Sequence, residues 1–151
     1  MSVASVAHNP SSTSSRGGTR RVLRCGILAG ALALPVIEAY AALAKAAGIP
    51  LRAGLPGAHT ASAVTAGSFA TGIVIATFWG TVLAVTLARY ASRPARTFTI
   101  IAVAATALSL ITPLDAFGAS LSTKLTLAGG HLIVASIMTS LLRRGISRAR
   151  S

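Results

Sequence analysis

Four apolar stretches, each about as long as a bilayer is thick, leave this chain few ways to fold. They cover residues 25–44, 64–88, 97–114 and 124–142. A hydrocarbon core ~30 Å thick needs about 20 helical residues to cross it. In lipid every backbone polar group must be paired internally, so these segments should be helices. The β-branched Thr, Val and Ile of the second and third do not change that. The sequence therefore predicts an all-α membrane protein, a four-transmembrane-helix bundle over residues 22–143. Residues 1–21, rich in Ser, Thr, Gly and Arg with no apolar period, are expected to be disordered. Residues 144–151 read as a basic tail.

Composition excludes the soluble alternatives. The chain is 53% hydrophobic and 11% charged, with a mean hydropathy of +0.72, where a soluble domain has about a quarter of its residues charged. A net charge of +12 could suit nucleic acid, but a nucleic-acid binder gathers its basic residues on one face and interleaves aromatics to stack single strands. Here the arginines flank apolar segments instead, so no nucleic acid is expected. The twelve Arg against two Lys fit a GC-rich genome. The single Cys25 leaves no intramolecular disulfide and no cysteine-cluster metal site.

The basic residues alternate from end to end. Arg16, Arg20, Arg21 and Arg24 precede the first span, Arg89, Arg93 and Arg96 join the second to the third, and Arg143, Arg144, Arg148 and Arg150 follow the fourth. Only Lys45, Arg52 and Lys124 lie at the opposite ends. Eleven against three predicts, by the positive-inside rule, that both termini are cytoplasmic in a multi-pass protein of the cell (inner) membrane. The same bias argues against a dual-topology dimer, and it favours anionic headgroups at the cytoplasmic face. Arg20-Arg21 with Ala39-Tyr40-Ala41 resembles a twin-arginine signal and its cleavage site. Arg24 and Glu38 interrupt that pattern, and removal of the first span would leave an odd number, so the span is expected to stay.

The second span carries a packing pattern. Ser68, Gly72, Ala76, Gly80, Ala84 and Ala88 recur every four residues, one face of small side chains on which helices approach closely in lipid. Internal bundle packing is the first expectation for this face, and a homo-oligomer or a membrane partner the second. Phe78 and Trp79 sit mid-span, where they would fill a gap or line a cavity.

Ionisable residues within spans are expensive and are functional candidates by default. Glu38 lies seven residues before Lys45, and His131 lies seven after Lys124. The two spans run in opposite directions, so both residues fall about 10 Å below the outer end at 1.5 Å per residue. Glu38 and His131 are thus the candidate intramembrane polar site, either a proton-linked or ligand-binding site in the outer half of the bundle, or a structural clasp between the helices, or two unrelated groups reaching a wet vestibule. Asp115 and Lys124 flank the outer turn and could pair across it. His8 and His59 lack metal-ligand spacing. No phosphate loop, close carboxylate pair or nucleophile elbow is present, so neither metal, cofactor nor catalytic residue is expected.

The second half resembles a family of small actinobacterial four-span membrane proteins known only as a domain of unknown function. The likeness lies in Ala107-Leu108-Ser109-Leu110-Ile111-Thr112-Pro113-Leu114, Thr123-Lys124-Leu125-Thr126-Leu127 and His131-Leu132-Ile133-Val134-Ala135, with Ala46-Ala47-Gly48-Ile49 closing the first span. It implies a four-helix inner-membrane protein and supplies no activity. The leading expectation is a non-enzymatic membrane protein of unassigned activity, a structural or accessory subunit. The alternative is a proton-coupled small-molecule transporter using Glu38 and His131. That alternative resembles the small multidrug exporters in its four helices and its membrane-embedded Glu. It differs in its basic N-terminal segment and in lacking an aromatic-rich pocket.

Overall fold

The computed structural model describes residues 11–54 and 57–149. Residues 1–10, Leu55-Pro56 and Arg150-Ser151 lie outside the described residues, and with them His8 and the first part of the segment expected to be disordered. Five helices follow in order: α1 (Ser11–Ala46), α2 (Ala66–Tyr90), α3 (Pro94–Ser109), α4 (Ile111–Leu114) and α5 (Leu121–Ala149). The short α4 continues α3 past Leu110, so the two act as one span. Four helices are thus long and apolar enough to cross a membrane, the make-up of a multi-pass membrane protein. Antiparallel order gathers the described arginines other than Arg52 at one end of the bundle (the arginine end) and the longer connections at the other (the loop end).

Two segments differ from the sequence expectation. α1 begins at Ser11, where disorder was expected, and α5 runs on to Ala149 through the expected tail. At 1.5 Å per residue α1 is about 54 Å long and α5 about 44 Å, well beyond the ~30 Å hydrocarbon core. The extensions hold each other. A Cβ on Gly18 would lie 3.2 Å from the Ala149 carbonyl oxygen, the Arg21 guanidinium donates to the Arg148 carbonyl, and Arg89 donates to the Thr19 hydroxyl at 3.3 Å. Val22 and Ile146 are fully buried. Tertiary packing, rather than an apolar period of their own, makes these arginine-rich segments helical.

α1 ends on a left-handed Gly48 (φ +79°), with the Ile49 N–H bonded to the Ala44 carbonyl and the Gly48 N–H to the Lys45 carbonyl. These are the two bonds of a Schellman C-cap. The Gly/Pro/Ala connection that follows is more ordered than its composition suggests. Two-residue strands β1 (Arg52–Ala53) and β2 (Ser62–Ala63) pair antiparallel, and Gly54 forms a bridge to Phe117 through two backbone bonds of 3.0 and 3.1 Å. The Thr123 hydroxyl donates to the Pro50 carbonyl at 2.5 Å. The first and last long connections are therefore tied together across the loop end.

The core is uneven. At the arginine end Val22 and Ala29 of α1, Ala84 of α2, Phe98 of α3, and Met138, Leu142 and Ile146 of α5 form one cluster. All four spans contribute to it. Towards the loop end the cluster is Ala33, Ile37 and Ile73, packed by Tyr40, Phe69, Val134 and Ile137, and α3 is missing. The only buried residues of α3 are Pro94 and Phe98, both in its first turns. Pro113 of α4 is buried again. Between them Ala102 still packs against the arginine-end cluster, but no residue is buried and the third span stands off in part from the bundle.

Candidate functional site

The stand-off of α3 creates a cleft of about 500 Å³ between α2, α3 and α5. Small side chains on all three walls leave the space: Gly72 and Ala76 from α2, Ala102 and Ala105 from α3, Gly130 and Ala135 from α5. A larger residue at Gly72, where a Cβ meets open space, would enter it, whereas one at Gly130 would meet Ile37 of α1. The volume falls within the ~300–1,000 Å³ usual for small-molecule sites.

The small-residue face of α2 divides between two tasks. Near the arginine end it packs internally: a Cβ on Gly80 would lie 3.3 Å from Leu142 Cδ1, and Ala84 is fully buried. Nearer the loop end Gly72 has open space where a Cβ would stand, and Ser68 and Ala76 are exposed. Those three residues line the cleft. The shorter pattern on α1 is used for close packing against α2, since Gly26 meets the Thr81 side chain and Gly30 meets Thr77. Thr81 Oγ1 is buried there without a hydrogen-bond partner.

Glu38 and His131 do not meet. No hydrogen bond or ion pair within 4.0 Å joins them. The contact between α1 and α5 at this depth is made one residue earlier on each helix, where a Cβ on Gly130 would lie 2.9 Å from Ile37 Cδ1. A helix turns ~100° per residue at 3.6 residues per turn. One step beyond the contact carries both ionisable side chains off the shared face. Glu38 is half-buried, and its Oε1 is buried with no hydrogen-bond partner. Such an unpaired buried acceptor costs roughly 1–3 kcal/mol.

His131 instead lines the cleft, exposed within it. Its Nδ1 lies 3.0 Å from the Leu127 carbonyl oxygen one turn earlier. On the facing wall Thr106 and Ser109 also border the cleft, the Thr106 hydroxyl donating to the Ala102 carbonyl at 2.8 Å and the Ser109 hydroxyl to the Thr106 carbonyl at 2.8 Å. Neither residue stood out in the sequence, because Ser and Thr are common in spans and bond back to their own helix. Trp79, 65% exposed, borders the cleft, while Phe78, 58% exposed, lines a separate groove between α1 and α2. The two rings meet edge to face at 5.2 Å. They fill no gap inside the bundle.

Asp115 and Lys124 are not paired within 4.0 Å either. Asp115 closes α4, its N–H bonded to the Ile111 carbonyl at 2.9 Å, while Lys124 sits in the first turn of α5. That turn is capped by Ser120, whose Oγ accepts from the Thr123 N–H at 3.2 Å. The outer turn is held by this cap and by the Gly54–Phe117 bridge, so no ion pair is needed. Among the described residues no group of three or more His, Cys, Asp or Glu side chains is placed to hold a metal ion. His59 is exposed in the loop between β1 and β2.

No curated protein and no solved structure matches the chain. A family model does, over residues 17–148. That span takes in part of the arginine-end extension of α1, all but the last residue of α5 and every wall of the cleft. The chain belongs to the family of unknown function DUF6069.

Proposed function

We propose that this protein is a non-enzymatic accessory component of the cell membrane that holds a small apolar molecule in the cleft between α2, α3 and α5. One observation carries the reading: three spans present small residues to one another around a cleft of about 500 Å³, although tight contact would have been available to them in lipid. Since no hydrogen bond joins Glu38 to His131, the reading rests on the cleft and not on a proton-sharing pair. In this reading both termini are cytoplasmic, since the arginine excess at that end follows the positive-inside rule. The same arginines are positioned by sequence for anionic headgroups.

Filling the cleft tests the proposal. The full-length protein, extracted gently from its native membrane and transferred to native mass spectrometry, should retain a small molecule that Ala105→Phe excludes. Identical bound species in both proteins would overturn it.

A further inference from the structure

We propose that the ligand of this cleft is a neutral amphiphile with a hydroxyl or N–H at one end, and that His131 Nε2 accepts its hydrogen bond. The inference rests on the cleft being a binding site and adds what the site recognises. A carbonyl oxygen can only accept, so the Nδ1 facing Leu127 O at 3.0 Å carries the ring proton. In a neutral imidazole the other nitrogen then bears a lone pair and no hydrogen. The imidazole borders the cleft and is exposed, so that lone pair is available to a bound molecule.

The opposite wall has the same polarity. Thr106 and Ser109 give their hydroxyl hydrogens to carbonyls of α3, leaving oxygen lone pairs for the cleft. Counted from the loop end at 1.5 Å per residue, Thr106 lies about 12 Å and His131 about 15 Å into their spans, nearly level. Two other hydroxyls border the cleft elsewhere: Ser68, within 3.3 Å of the Thr65 hydroxyl, and Thr139, about two turns from His131 towards the arginine end. No Lys or Arg lines the cleft, so a carboxylate or phosphate would find no counter-charge. Beside His131, Thr106 and Ser109 a ketone, ester or ether would set lone pair against lone pair in a medium where an unpaired polar group is costly; the donors of the walls, the Trp79 indole N–H and the Ser68 and Thr139 hydroxyls, belong to other levels of the cleft. A donor head is matched, and its apolar body finds Trp79, Leu83 and Val134 along the walls.

Trp79, the one tryptophan of the chain, reports on binding. The full-length protein in nanodiscs is titrated with 12-bromododecanol and with its methyl ether, whose bromine quenches indole fluorescence on contact. Saturable quenching by the alcohol is expected at a concentration at least about tenfold lower than by the ether, a ratio equivalent to ~1.4 kcal/mol. In His131→Phe that ratio should fall to about one, with ether quenching retained as evidence that the cleft is intact. Equal affinities for the two probes in the wild type would overturn the acceptor assignment while leaving the cleft a binding site. Absence of saturable quenching by either probe, or a dimer whose second copy blocks both, would overturn the binding site itself.

Discussion

The two ends of the bundle solve the problem of helix packing in lipid in opposite ways. At the arginine end four spans share one cluster, and small residues bring backbones together: Gly80 against Leu142, Gly145 against Cys25, Gly26 against Thr81. At the loop half only three spans share a core, and small residues of the same kinds hold space open around His131. Lipid provides no hydrophobic force that drives helices together. Small side chains therefore permit close approach without compelling it. What decides is the surrounding larger groups: Phe98, with Ala102 beside it, holds α3 to the bundle, and beyond them Ala105, Thr106 and Ser109 offer α5 nothing bulky to grip.

Substitutions can break this contrast in a graded way. The largest effect should come from Leu142→Ala, since Leu142 is fully buried in the four-span cluster. A loss of roughly 2–3 kcal/mol is expected, the lower part of the range for emptied cores, because lipid is itself an apolar solvent for the separated helices. Leu108→Ala, on a side chain 68% exposed, should change stability by less than about 0.5 kcal/mol. Reversible unfolding in mixed micelles on addition of dodecyl sulfate measures both, and equal losses would dissolve the distinction between core and standing-off span. Next, Gly26→Val forces a side chain into Thr81 and should cost roughly 1–3 kcal/mol as overpacking. Gly72→Ala enters open space and should be neutral by the same assay. Thr123→Val removes the hydroxyl bonded to the Pro50 carbonyl and should cost about 1 kcal/mol, with faster hydrogen exchange at the β1–β2 loop. A small effect is likewise expected at Asp115→Asn, within about 0.5 kcal/mol, since no ion pair is lost; a clear destabilisation would reveal a pairing with Lys124 in solution.

Those tests also mark how far the sequence alone could reach. The number of spans follows from apolar length, and the turn after Tyr90 and the end of the third span at Leu114 fall within a few residues of expectation, while the break between Ser109 and Ile111 was not foreseen. The ends of α1 and α5 do not, because Arg16–Arg24 and Arg143–Arg148 carry no apolar period and gain their helicity from each other. The depth of Glu38 and His131 was legible, as the Ile37–Gly130 contact at the same level shows. Their azimuth was not. Counting residues from a boundary gives height along a helix, while the facing side depends on how neighbouring helices are rotated. The cleft itself left only a faint sign: the four-residue repeat of α2 continues past the point where packing uses it, and nothing in a repeat distinguishes contact from vacancy.

Among the described residues the seam between α1 and α5 is the most extensive, and it joins two helices that lie far apart in the chain. Each span can enter the bilayer as a helix in its own right before any association. The face of α1 that carries Val22, Ile37 and Ala41 must therefore wait in lipid until the ribosome has finished α5. Without α5 the other spans would leave that face of α1 turned to lipid, so the last seam to form is also the one that gives the bundle its core.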